Sequence, residues 1–316
     1  MTEQKVYIGI DTSNYTTSIS ISNQNGEIIA NIKKLLDVKM GERGLRQSDA
    51  VFSHVKNFSI LAQELEKEIE GYGVGAIGVS TVPRDIEGSY MPCFLVGKAV
   101  ADMIAATHNA PVFEFSHQAG HIMAALYSSG NAEKLLEDSF VAFHVSGGTT
   151  EALYVTPKNG KFDVKIIADT ADISAGQSID RAGVMMGLKF PCGKEMEQLA
   201  SHYDGKLPKA KICVKNGKCN FSGLENIAQK LYADTEDASF VSAYVLNFVA
   251  ETLLKLTDDI REEYPNIPIL YAGGVMSNKY LQNRLLRFDN TYFATPEFSA
   301  DNAAGIALLT YKSYES

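Results

Sequence analysis

The chain has 316 residues, of which 45% are hydrophobic and 21% charged, enough apolar material for sizeable cores and enough length that two domains are expected. Its formal net charge of -9 excludes a protein that grips nucleic acid with its whole surface, because neutralising phosphates needs clustered cations; any RNA contact has to be local or shared with a partner. The 4 cysteines, Cys93, Cys192, Cys213 and Cys219, include no Cys-x-x-Cys pair, which argues against both a disulfide framework and a zinc ribbon.

Met1 to Lys5 lead straight into a strand rather than an apolar signal core, and no apolar run of the ~18 residues a membrane helix needs is read in the chain; a cytoplasmic protein without membrane contact is expected. Val6 to Asp11 is a short apolar run suited to a buried strand, followed by the polar turn Thr12-Ser13-Asn14-Tyr15 and the alternating Thr17-Ser18-Ile19-Ser20-Ile21. Asn25-Gly26 marks a hairpin turn before a third strand over Glu27 to Lys34. Val55, Phe58, Leu61, Leu65 and Ile69 recur at helical spacing within Ser53 to Glu70. Strands are expected at Ala76 to Thr81 and Val112 to Phe115, with a helix over Cys93 to Thr107 between them.

The pattern then begins afresh. Phe140 to Val145 reads as a strand, Ser146-Gly147-Gly148-Thr149-Thr150 as a turn and Glu151 to Thr156 as the returning strand. Helices follow at Ala175 to Gly187, Gly193 to His202 and Ala238 to Tyr264, then a strand at Ile269 to Ala272, a helix from Ser277 and a last helix around Asp301 to Tyr314. Strand-rich starts leading twice into alternating helices and strands suggest two duplicated α/β domains facing each other across a cleft.

The chemistry-bearing residues fall on these turns. In His117-Gln118-Ala119-Gly120-His121 two imidazoles stand at i and i+4, so they share one helix face and suit either a transition metal or a plain helix start. Gln118 holds the place where a thermolysin-like protease needs its glutamate, which excludes that reading. Tight turns expose consecutive backbone N–H groups and hydroxyls, so both hairpins, Asp11 to Asn14 and Ser146 to Thr150, suit phosphates if they are not ordinary β-turns. Gly273-Gly274, at the carboxyl end of a buried strand, marks a nucleotide crevice or a simple helix start capped at Ser277, and Asn278 just beyond suits a base or ribose. Asp180 falls on a helix that suits ribose hydroxyls or forms a solvated acidic face. Lys206, Lys209, Lys211, Lys215 and Lys218 make either a solvated flap or a phosphate-contacting surface.

The ordered set Gly9-Ile10-Asp11-Thr12-Ser13, His117-x-x-Gly120-His121, Val145-Ser146-Gly147-Gly148-x-Thr150, Ala175-Gly176-x-x-x-Asp180, Phe221-Ser222-Gly223-Leu224, Gly273-Gly274-Val275-x-x-Asn278 and Ser299-x-Asp301-Asn302 resembles the TsaD/Gcp family over nearly the whole chain. That resemblance implies an α/β, actin-like and sugar-kinase-like ATPase (ASKHA) fold, with residues 1–122 plus 297–316 as a first domain and 123–296 as a second, nucleotide-binding one. It implies transfer of a threonylcarbamoyl group from threonylcarbamoyl-AMP to adenosine in tRNA. By position, His117, His121 and Asp301 resemble the ligands of one divalent metal, iron or zinc. Ser146, Gly147, Gly148, Thr149, Asp180, Gly193, Gly274 and Asn278 resemble contacts to an adenine nucleotide (ATP, AMP or threonylcarbamoyl-AMP), and Asp11 and Ser13 are the candidate catalytic residues. Implied partners are the nucleotide, tRNA, and protein partners of a tRNA-modification complex, as a homo- or heterodimer.

Departures from the family pattern mark a divergent paralogue. Asp11-Thr12-Ser13-Asn14-Tyr15-Thr16 stands for Glu-Thr-Ser-Cys-Asp-Glu, and Ala119 replaces the glutamate of the histidine motif. Thr149 replaces a histidine, Ile173 the second of two aspartates, Gln177 a glutamate, and Pro191-Cys192-Gly193-Lys194 stands for Pro-Gly-Gly-Pro. The metal ligands survive better than the neighbouring acids, so another acceptor, or a scaffold role with weakened catalysis, are the alternatives.

Overall fold

A computed structural model of the chain describes residues 4–13, 15–36, 45–158, 160–298 and 303–316. Asn14 and Asp301 therefore lie outside the described residues, as do Ser299 and Asn302. The chain divides into two compact units, one made of Met1–Ala132, Pro157–Asp163 and Glu297–Ser316, the other of Glu133–Thr156 and Val164–Pro296.

The first unit opens with β1 (Lys5–Ser13), β2 (Thr16–Asn23) and β3 (Ile28–Leu35), then α1 (Gln47–Glu68), β4 (Gly73–Val82), α2 (Phe94–His108), β5 (Val112–Ser116) and α3 (His117–Ser128). Its sheet has the order β3-β2-β1-β4-β5, with β1 antiparallel to β2 and parallel to β4. The expected four-residue polar turn is shorter, because Thr12 and Ser13 continue the ladder and pair with Thr17 and Thr16. Both faces of this strand pair are covered, so even its serines and threonines are buried. The α1 helix starts at Gln47 rather than Ser53, since Ala50 joins Phe58, Leu61 and Leu65 on the buried side.

The second unit begins after the short helix α4 (Ala132–Leu135) with β6 (Phe140–Val145), β7 (Thr150–Lys158) and β8 (Lys161–Thr170), followed by α5 (Ala175–Met185), α6 (Gly193–Ala200) and the small strands β9 (Cys213–Lys215) and β10 (Lys218–Asn220). Then come α7 (Gly223–Thr235), α8 (Ala238–Glu263), β11 (Ile269–Ala272), a 3-10 turn over Gly274–Ser277, α9 (Lys279–Leu285) and β12 (Thr291–Phe293). Its sheet reads β12-β11-β6-β7-β8-β10-β9. Here β6 is antiparallel to β7 and parallel to β11, which is parallel to β12. The first unit's pattern of β2, β1, β4 and β5 thus recurs as β7, β6, β11 and β12, which is the duplication the sequence suggested.

One element corrects the sequence reading. The α8 helix is long and apolar enough to cross a membrane by length and composition, but 78% of its most apolar window is buried. It is the central helix of the second core, with Val241, Val245, Phe248, Val249, Leu253 and Ile260 packed inside, and Asp237 caps it by accepting from the Ser239 and Phe240 N–H groups. After the long α8, the chain's last described helix, α10 (Ala304–Glu315), returns to the first unit and packs on β1, β4 and α3. A Cβ at Gly305 would lie 1.8 Å from the Gly120 carbonyl oxygen, so only glycine allows α10 to approach α3 between the two histidines.

Candidate functional site

In the first unit, Asp11 near the end of β1 is fully buried. Its Oδ1 accepts a hydrogen bond from Ser80 Oγ on β4 and lies 2.9 Å from Nδ1 of His117. The helix bearing His117 begins where it does because Ser116 accepts from the Ala119 N–H as an N-cap. One turn on, Nε2 of His121 lies 2.9 Å from Nε2 of His117. A proton on His117 Nδ1, donated to Asp11, leaves the lone pair on Nε2, the tautomer a metal ligand needs. Two imidazole nitrogens this close share either one proton or one cation, and bonds of about 2.0–2.1 Å allow both to reach a single ion.

The donor set therefore fits a transition metal held by neutral imidazoles with a carboxylate behind one of them. Among the described residues no third His, Cys, Asp or Glu completes a metal-holding group, and Asp301, the third expected ligand, is not among them. Cys93 is no substitute: burial first, and the nearby Asp11 carboxylate second, push its thiol up to about 11, so it stays protonated. Ser13, the other candidate catalytic residue, is buried; its N–H donates to Asp11 Oδ2 at 3.3 Å.

In the second unit, β6 and β11 run parallel with Ala272 beside His144, so both deliver their next residues to the same edge, the carboxyl end where open α/β sheets bind ligands. After β6, the Ser146 N–H donates to the Thr149 carbonyl at 2.8 Å and closes a tight loop, while Ser146 Oγ accepts from the N–H groups of Gly148 and Thr149. Ser174, the N-cap of α5, accepts from Gln177 N–H and donates to the Gly147 carbonyl at 2.8 Å, which ties the loop to the helix start. After β11, Gly273 adopts φ 99, and a Cβ there would lie 2.3 Å from the Val145 carbonyl oxygen.

Gly147, Gly148, Gly193 and Gly274 are glycines of another kind. None has positive φ, and a Cβ at any of them meets nothing within 4 Å. Neither backbone conformation nor packing calls for glycine there; what the absent side chains leave is room beside backbone N–H groups, as an anion cradle requires. Asp180 reaches the same segment, because its Oδ1 accepts from the Cys192 N–H at 2.7 Å next to the start of α6. Asn278, not Ser277, caps the following helix: its Oδ1 accepts from the Leu281 N–H at 3.1 Å, since Ser277 belongs to the intervening 3-10 turn. That leaves the Asn278 amide N–H groups as its donors.

Sequence reasoning missed Asp172 as a positioning residue. Its carboxylate accepts from the N–H groups of Ile173, Phe221 and Ser222 and from Ser222 Oγ, at 2.6 to 3.0 Å. Burial alone would raise its pKa, but these hydrogen bonds outweigh burial and hold it well below the ordinary carboxylate value. The Phe221-Ser222-Gly223 motif is thus latched to the loop before α5. The lysine-rich stretch is exposed and carries the β9–β10 hairpin, with Lys218 paired to Asp169 at 2.6 Å.

Comparison with known proteins places the chain. The family model described as "TsaD: tRNA N6-adenosine threonylcarbamoyltransferase" matches residues 27–308. A relative of that name from Streptococcus suis (strain 05ZYH33) is 30% identical over 99% of this chain and 94% of its own length. One from Streptococcus pneumoniae (strain Taiwan19F-14) is 30% identical over 90% of this chain and 84% of its own. In fold, the chain is similar to full-length HypF in its phosphate- and nucleotide-bound form (TM-score 0.57, 14% identity, 99% of this chain) and spans 46% of that protein's length. It is similar also to component A of the (R)-2-hydroxyglutaryl-CoA dehydratase of Acidaminococcus fermentans (TM-score 0.53, 15% identity, 98% of this chain and 99% of that one). These structures support the expected actin-like, sugar-kinase-like fold class, and the matches in sequence show that the chain belongs to the TsaD family.

Proposed function

We propose that the chain transfers a threonylcarbamoyl group from threonylcarbamoyl-AMP to N6 of an adenosine in tRNA. The observation that carries the reading is the Asp11–His117–His121 arrangement, a metal-ready pair oriented by a buried carboxylate, in a member of a family whose relatives are named for this transfer. In the reaction, N6 forms a bond to the carbamoyl carbon, the bond from that carbon to the phosphate oxygen breaks, AMP departs with the electron pair, and N6 loses one proton.

On this reading His117 and His121, with Asp301, hold one iron or zinc ion. Bound there, the ion acts as a Lewis acid on the carbonyl or phosphate oxygens. The protein's own part is to hold and orient. Asp11 fixes the His117 ring and tautomer, and its burial behind Ser80 and His117 makes it a positioning residue rather than a base that meets substrate. In the Ser146–Thr149 loop the N–H groups of Ser146, Gly148 and Thr149 are engaged within the protein, which leaves the Gly147 N–H as the loop's donor to the phosphate, where negative charge grows as AMP leaves. Gly193 and Gly274 leave room for the nucleoside, with Asp180 and Asn278 as its polar contacts. The exposed Lys206, Lys209, Lys211 and Lys215 are local cations for tRNA phosphates. Val55 and Leu95, each more than half exposed, line an apolar depression of about 370 Å³ between α1 and α2, which supports work with a protein partner.

The test is direct. Purified protein with threonylcarbamoyl-AMP and unmodified tRNA, alone and with candidate partner proteins, is assayed for modified adenosine, with His117→Ala as the control. Modification lost in the variant is expected; no transfer in any combination, with nucleotide still bound, overturns the transferase and leaves a nucleotide-binding scaffold.

A further inference from the structure

At the carboxyl end of the second unit's sheet, strand alternation sets a histidine and a glutamate side by side, two residues short of the Ser146–Thr149 loop. Along β6, Val141, Phe143 and Val145 belong to the second core, so the intervening His144 lies on the opposite face. The same alternation puts Glu151 of β7, next to the core residue Ala152, and Ala272 of β11, next to the core residue Tyr271, on that face too. In register, His144 pairs with Glu151 on one side and with Ala272 on the other, and directly opposed residues of such an antiparallel pair as β6 and β7 hold their Cβ atoms about 4.5–5.5 Å apart.

The two neighbours contribute different things. Glu151 is 7% exposed, and a buried carboxylate keeps its charge only where donors meet it; an imidazole across the ladder is such a donor, and the carboxylate in turn favours a ring that carries both protons. Ala272 sets only a methyl group against the other side of His144, and beyond it come Gly273 and Gly274, where a Cβ at Gly274 would meet nothing within 4 Å. His144 itself is half-buried, so part of it is open to a ligand. Ser146 follows two residues on, about 7 Å along the strand, a span covered by an imidazole and one hydrogen bond.

The loop is short of donors. The N–H groups of Ser146, Gly148 and Thr149 are bonded within the protein, as are those of Ala175, Gly176 and Gln177 at the start of α5. Gly147 alone then offers a backbone N–H to a phosphate, which needs more than one donor to be held away from water. We propose that His144 is a phosphate-binding side chain of the second unit, with one ring N–H donated to Glu151 and the other to a phosphate oxygen of the bound nucleotide. This rests on the nucleotide site of the transferase reading and adds to it a residue that lies outside every motif of the sequence. Glu151 is a positioning residue that acts through His144.

The experiment compares equilibrium affinities for AMP and for adenosine in the full chain, because the two ligands differ only in the phosphate. His144→Ala is expected to weaken AMP about tenfold or more, the size of one lost hydrogen bond to a charged group, and to leave adenosine as in the wild type. His144→Gln, which keeps a donor without the charge, falls between the two. Glu151→Gln weakens AMP on its own and has no further effect beside His144→Ala, the mark of a residue that acts through another. Unchanged AMP affinity in His144→Ala, or an equal loss of AMP and adenosine, overturns the assignment and leaves the nucleotide site standing. Additive losses from the His144 and Glu151 substitutions overturn the positioning role. A wild type that binds neither ligand overturns the nucleotide site itself, and this assignment with it. Melting curves for every variant separate lost binding from lost fold, and the AMP-against-adenosine split of His144→Gln decides the matter if His144→Ala does not fold.

Discussion

Asp11 and His117 are 106 positions apart in the chain, yet Asp11 Oδ1 and His117 Nδ1 lie 2.9 Å from each other, so the end of the first strand sets the orientation of the first residue of α3. Replacing the carboxylate with an amide of the same shape, Asp11→Asn, removes the charge that favours a proton on Nδ1. Metal affinity is expected to fall about 10–100-fold, as for other carboxylates behind a ligating histidine. Titration against a metal buffer measures it, and an unchanged affinity removes Asp11 from the metal's support.

His121→Ala deletes one of the two nitrogens that face each other across 2.9 Å. Metal content after dialysis is expected to drop close to zero while AMP affinity stays as in the wild type, because the proposed nucleotide contacts come from the other unit. Elemental analysis of the purified variant decides the matter; a full metal complement would mean that the ion sits elsewhere.

Two glycine substitutions are expected to behave in opposite ways. Gly147→Val places its side chain in open space, so the melting temperature holds and AMP affinity falls at least about tenfold, the loss of a ligand's room or of about 1.4 kcal/mol. Gly305→Ala drives a Cβ to 1.8 Å from the Gly120 carbonyl and is expected to destabilise the fold by about 1–3 kcal/mol or more. Thermal melts beside AMP titrations distinguish the two, and a Gly147→Val protein that binds AMP normally would exclude the loop from the phosphate site.

The hydrogen bonds on Asp172 give its contribution to stability a pH signature. Because its folded pKa lies below the ordinary value of about 3.9, that contribution is complete above this value and drains away as pH falls through it toward the folded pKa. The melting-temperature gap between wild type and Asp172→Asn is expected to be constant from pH 7 to 5 and to narrow below pH about 4. A gap that widens on acidification would contradict the latch.

The fold was legible wherever local pattern sufficed. The apolar run into Asp11, the repeated hairpin and the helical spacing of Phe58, Leu61 and Leu65 all appear as elements, because burial on one face imposes its period on the sequence. Boundaries set by tertiary contact were not: α1 gains its first six residues through Ala50, and the cap at Asn278 moves because a 3-10 turn intervenes. In the candidate site, the residues carried by named motifs were legible by position. Ser80 and Asp172 were not, since a serine within an apolar strand and an aspartate before an N-cap look ordinary until distant segments fold onto them.

The return of α10 to the first unit has a consequence for synthesis. The backbone at Gly9 in β1 rests against Ala303 and Ala307, which are made only after the whole second unit. The sheet that carries Asp11 therefore stays open on one face while the second unit, encoded between, is made and has all its strands in hand. Of the two units, the one begun earlier is completed later, and until α10 docks, the apolar face it covers is exposed to aggregation.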